Sequence, residues 1–180
     1  MLQITIPPFE AWDEHKEEFV EFSGQTLQLE HSLLSISKWE SKWCRSFIYK
    51  GPVTEEETID YIKHMTISRN VKPEVYDYLT PENINEIKEY INAPMTATTF
   101  AKENGGKKSN EIITNELIYY WMIALTIPME CEKWHLNRLL TLIRVCNAKN
   151  QPAKKMSKRD IMSRNAALNA ARRKQYNTTG

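Results

Sequence analysis

Cys131 and His135 stand four residues apart in a stretch dense with Trp, Leu and Ile. On one helix that spacing puts a thiol and an imidazole on the same face, which is the residue pairing a nucleophilic cysteine needs. A place near a helix N-terminus would lower the Cys131 pKa and favour the thiolate. Metal chemistry needs more. Two ligands do not close a zinc site, and the chain holds no CxxC pair and no H-E-x-x-H. His15, His31 and His64 are isolated from one another, as are Cys44 and Cys146. Neighbouring carboxylates, Asp13-Glu14 and Glu55 to Glu57, fall in capping or surface contexts. The segment Asn104-Gly105-Gly106-Lys107-Lys108 is glycine-rich and basic but lacks G-x-x-x-x-G-K-[ST] and a buried strand before it, so it reads as a loop or a hairpin turn. Neither G-x-S-x-G nor a dinucleotide fingerprint occurs. The expectation is a non-enzymatic protein with no catalytic residue, no metal and no cofactor.

Charge carries more information. The 180 residues have a formal net charge of only +1. Between Lys149 and Lys174, however, nine Lys or Arg face one acid, Asp160, which leaves the remainder at −7. An acidic body with a basic end points to an interaction tail. Lys154, Lys155, Lys158, Arg159, Arg164, Arg172, Arg173 and Lys174 are the candidate contacts. They could neutralise phosphates, but aromatic residues for base stacking are absent apart from Tyr176. An acidic protein surface, including the body of a second copy, is the preferred partner over nucleic acid. Three cysteines without CxxC spacing fit a reducing compartment. The first residues have no secretion-signal pattern, and no apolar run approaches the ~20 residues of a membrane span.

The elements that position these residues follow from periodicity. Leu2, Ile4 and Ile6 alternate with polar residues up to Pro7-Pro8, the pattern of a strand. Phe19 to Phe22 and Thr26 to Glu30 predict two more strands across a Ser23-Gly24 turn, giving a small antiparallel sheet. Two or three short strands need helices to pack on. Leu33, Ile36, Trp39 and Trp43 predict a helix from Ser32 to Cys44. Thr54 with Glu57 forms a capping box for a helix whose buried stripe is Ile59, Ile62 and Met65. A short helix follows over Pro73 to Leu79. Thr80-Pro81 opens another, with a cap and a proline at its first position, and with Ile84, Ile87, Tyr90 and Ile91 as its apolar face. Acids at Glu55 to Glu57, Glu82, Glu86 and Glu89 give this region an acidic solvent face. Met95 to Phe100 is a candidate extended stretch.

The segment from Asn110 to Lys149 predicts two helices, broken at Ile127-Pro128 because proline lacks a donor and restricts the residue before it. Ser109 or Asn110 would cap the first. That helix is apolar on most sides and therefore expected to be buried all round. The second would run from about Glu130, with Cys131, Trp134 and Arg138 on one stripe, and the pair would form an αα-hairpin at the centre of the domain. Beyond a Gln151 to Lys155 linker, Ser157 caps a basic last helix. The fold expected is α+β: a small N-terminal antiparallel sheet packed on a mainly helical body over 1–150, and a basic helical tail over 151–180.

Leu27 to Ser41, Tyr120 to Leu125, Trp134 to Arg144 and the closing Arg164 to Arg173 resemble a family of small proteins of bacteriophages with long non-contractile tails. The size and mixed helical make-up are similar to those of tail assembly chaperones, which coat the tape measure protein while the tail tube polymerises. The resemblance implies phage tail proteins (tape measure, tail tube) as partners, the host cytoplasm during assembly as the location, and no catalytic residues. Trp39, Trp43, Trp121 and Trp134 are the candidate anchors for a helical partner, with core packing as their competing role. A virion component at the head–tail junction, or a DNA-binding accessory protein using the basic tail, are the alternatives.

Overall fold

The computed structural model describes residues 1–13, 18–100, 111–150 and 158–178. The chain divides into two units, Met1–Cys146 and Asn147–Gly180. The first is α+β and opens with four strands: β1 (Leu2–Ile6), β2 (Phe9–Asp13), β3 (Glu18–Phe22) and β4 (Gln25–Leu29). The sequence reading missed β2 and expected one sheet. Instead β1 pairs with β4 and β2 with β3, both antiparallel. Leu2 faces Leu29 and Phe9 faces Phe22, so a single register runs through both ladders without an inserted residue. The break lies where Pro7 and Pro8 have no N–H to give the ladder. Opposite them Gly24 sits at φ +73, and a Cβ there would come within 2.9 Å of the Pro8 nitrogen and 3.0 Å of the Ile6 oxygen.

The break also exchanges the buried side. Along β4 the odd positions Leu27 and Leu29 are buried, whereas in β3 Phe22 is buried and Phe19 is 69 % exposed. Phe22 packs near Tyr78, with ring centroids 5.8 Å apart.

The helices start where capping chemistry places them. Ser32 caps α1 (Leu33–Trp43), Thr54 caps α2 (Glu55–Met65) and Thr80 caps α3 (Pro81–Asn92), each as a reciprocal box with the residue three positions on. The Pro73–Tyr78 segment is a 3-10 turn, and Met95–Phe100 forms no strand. On α2 the buried residues are Glu57, Tyr61, Ile62 and Met65. Ile59 is only half-buried, so the stripe is rotated from the one expected.

The region 111–150 departs most from expectation. Helix α4 begins at Asn115 and ends at Ala124; Ser109 and Asn110 lie outside the described residues. The first helix ends at Ala124, before the break expected at Ile127-Pro128: Thr126 turns left-handed (φ +55) and the Ile127 N–H donates back to the Met122 carbonyl at 2.8 Å. Met129–Lys133 is a 3-10 turn, Trp134 is extended, and α5 runs from Leu136 to Asn150. The αα-hairpin therefore does not form. His135 bridges to Ser32, and the Leu136 N–H donates to the His31 carbonyl at 2.7 Å. These bonds hold the start of α5 against the junction of β4 and α1, where a helical His135 could not reach.

Consequently α1 is the centre of the first unit. It packs against α2, α4 and the Met129–Lys133 turn. Leu33, Ile36 and Trp39 are fully buried there, with Leu27 and Leu29 from β4, Met65 from α2, Ile118 and Met122 from α4, and Leu139 from α5. Burying each such side chain removes apolar surface worth about 1.5–3 kcal/mol. The second unit contains α6 (Lys158–Tyr176), whose described side chains are all exposed.

Candidate partner-binding surfaces

The four tryptophans divide by burial. Trp39 is 0 % exposed, and its indole N–H donates to the Glu57 carbonyl at 3.2 Å. It is a core residue and cannot anchor a partner. Trp43 lies beside it, ring centroids 6.2 Å apart. It is half-buried and donates to Asp60 Oδ2 at 2.9 Å, so its polar edge is committed within the chain. Trp121 and Trp134 are half-buried. The Arg138 guanidinium lies 4.2 Å from the Trp134 ring centroid, a cation–π contact that covers that face. Of the basic candidates, Lys158, Arg159, Arg164, Arg172, Arg173 and Lys174 are brought together along α6, all exposed. Lys154 and Lys155 lie outside the described residues.

The proposed Cys131–His135 pairing is not made on one helix. Cys131 is in the 3-10 turn and His135 on the extended segment after it. Cys131 is 5 % exposed, and burial, with Glu130 adding to it, pushes its thiol pKa up rather than down. His135 joins His31 instead, with ring centroids 5.0 Å apart. His135 Nδ1 accepts the Asn137 N–H at 3.3 Å, which leaves Nε2 to donate to the Tyr90 carbonyl at 3.0 Å. That fixes a neutral ring with its proton on Nε2. His31 Nδ1 pairs with the Tyr61 hydroxyl at 2.6 Å. Burial, reinforced by His135, pulls the His31 pKa down to about 3. Tyr90 donates its hydroxyl to Glu30 Oε1 at 2.7 Å. The cluster joins the end of β4 to α2, α3 and the start of α5, and both imidazoles are buried (2 % and 6 % exposed). Its chemistry is that of satisfied core polar groups, which orient neighbouring elements.

Two surfaces remain that the sequence reading did not single out. The first is the outer arc of α4. This helix was expected to be buried all round, yet only Asn115, Ile118 and Met122 are. Tyr120 and Ile123 are 64 % and 69 % exposed. The reason is that α1 covers a single side of α4. Ile112 and Met129, at its two approaches, are also exposed. The signal was present in the sequence as a helix whose one charged residue is Glu116, four and seven positions before Tyr120 and Ile123.

The second is a groove between α2 and α3. One part, about 450 Å³, has Ile59 and Ile84 in its wall and Glu55 and Asp77 at its edge. A more enclosed apolar part, about 170 Å³, shares Ile84 and Lys88 and continues to Ile62, Ile87 and Ile91.

Among the described residues no cluster of His, Cys, Asp or Glu could hold a metal ion, and no helix is long and apolar enough to cross a membrane. No protein-family model, curated protein or solved structure matches the chain.

Proposed function

We propose that the chain is a non-enzymatic bacteriophage assembly protein, a tail assembly chaperone that holds the tape measure protein until the tail tube closes around it. The observation that carries this reading is the uncovered arc of α4, on which Tyr120 and Ile123 face outward with Glu116 as its one charged residue. A soluble fold that leaves large apolar side chains together on one helix face has a partner for them. A Tyr and an Ile at i, i+3 suit an amphipathic helix laid along them, and tape measure proteins are long and helical in the phage family that the sequence resembles. The test is affinity capture of the tagged chain from infected cells. Tape measure or tube protein is expected in the eluate, and the Tyr120→Ser/Ile123→Ser variant should lose it. Recovery of neither from the wild type sinks the reading. Finding the protein at stoichiometric levels in purified virions would place it at the head–tail junction instead, since a chaperone leaves before the particle is complete.

A further inference from the structure

From the α2–α3 groove and the composition of α6 we infer a self-association surface: α6 of one copy docks in the groove between α2 and α3 of a second copy. The groove has an apolar floor, to which the half-buried Ile59, Ile84 and Ile91 contribute. Its lining carries the acids Glu55 and Asp77 against one base, Lys88, within a segment, residues 54–92, of nine Asp or Glu against four Lys or Arg, a net −5. The acids Glu55 and Asp77 at its edge are exposed.

Helix α6 is its counterpart in both respects. It carries six Lys or Arg against Asp160, a net +5. Ile161 and Leu168 are seven residues apart, on one face after two turns, and Tyr176 lies roughly 60–80° round the helix from them. All three are exposed. Nineteen residues of helix extend ~28 Å, enough to run along α2 or α3, each ~17 Å. A helix whose apolar stripe has no cover of its own gains burial from such a groove, and opposite charge at the rim sets its orientation and speeds encounter. The occupant is a second copy because the chain itself supplies both complementary surfaces, and α6 leaves its stripe uncovered. This surface is separate from the α4 arc, so its failure leaves the chaperone reading standing.

Sedimentation equilibrium of the full chain tests it, at about 0.1 M and about 0.5 M salt. The wild type should associate reversibly, and less at the higher salt. Arg172→Glu/Arg173→Glu on α6 should weaken association at least about tenfold, as should Glu55→Lys/Asp77→Lys at the groove. The variant carrying all four substitutions should recover it. These side chains are exposed, so each variant should keep the wild-type circular dichroism spectrum, with a melt lowered only slightly by the reversed charges at the ends of α2 and α6. A wild type that stays monomeric at all concentrations overturns the inference, as does association indifferent to either reversal or a combined variant no better than its parents. Salt-dependent binding of duplex DNA through α6 without self-association also overturns it.

Discussion

Glu40 on α1 closes the N-terminus of α4: its Oε2 accepts the main-chain N–H of Asn115 at 2.8 Å and the Asn115 side-chain amide at 2.6 Å. Its other oxygen accepts the Phe47 N–H at 2.7 Å. Thr114, at the capping position, makes no side-chain cap bond of its own. The cap therefore comes from another helix, as a buried anion set at the positive end of the α4 dipole. Glu40→Leu leaves three donors without a partner and should cost about 3–5 kcal/mol. Glu40→Gln keeps one acceptor oxygen and should cost less. Urea denaturation measures both, and a Leu variant within about 1 kcal/mol of wild type would refute the role.

The buried imidazoles make stability depend on pH. The His31 pKa lies near 3 in the folded chain against an ordinary 6.5, so the unfolded chain binds the extra proton between those values. The stabilisation is complete above about pH 6.5 and is lost as pH falls toward 3. At pH 5 the loss from His31 alone should be about 2 kcal/mol. His135 is shifted the same way, by burial working against its bond to the Tyr90 carbonyl. His31→Gln should flatten the fall between pH 7 and pH 5. An unchanged slope in denaturant titrations at the two pH values would exclude His31 as its source.

Gly24 has a steric role at the break between the two ladders. Its positive φ and the approach of the Pro8 nitrogen and Ile6 oxygen leave no room for a Cβ. Gly24→Ala should destabilise by about 1–3 kcal/mol, whereas Ser23→Ala, at an exposed neighbour, should stay within about 0.5 kcal/mol. Thermal melts of the two variants give the comparison.

Core and surface aromatics should separate cleanly. Trp39→Ala opens a cavity among fully buried residues and breaks the bond to the Glu57 carbonyl, a loss of about 3–5 kcal/mol. Tyr120→Ser/Ile123→Ser changes only exposed side chains and should move stability by less than about 1 kcal/mol. If the α4 pair proved as destabilising as Trp39, its face would be covered in the folded protein.

Local chemistry was the legible part of the sequence. The Thr54 and Thr80 caps, the Ser32 start of α1 and the strands Leu2–Ile6 and Gln25–Leu29 depend on a few adjacent residues, and the α+β class follows from them. Long-range partners were not legible. The start of α4 is set by Glu40, far away in sequence, so no local signal marks it. Cys131 and His135 had helical spacing, but the bridge from His135 to Ser32 outweighs it. Trp39 and Tyr120 look alike as aromatics on apolar helices. Which one is buried depends on what packs against each helix, and α1 is surrounded while α4 is covered on one side.

The bond from Leu136 to the His31 carbonyl also sets a timetable for synthesis. During translation α1 leaves the ribosome roughly a hundred residues before the segment that completes its surroundings, several seconds at ordinary elongation rates. Over that interval Leu33, Ile36 and Trp39 have only β4 and α2, and late in it α4, to pack against. A stalled or truncated chain ending before α4 would carry half a core open to solvent, and cellular quality control would meet it as an unfolded protein.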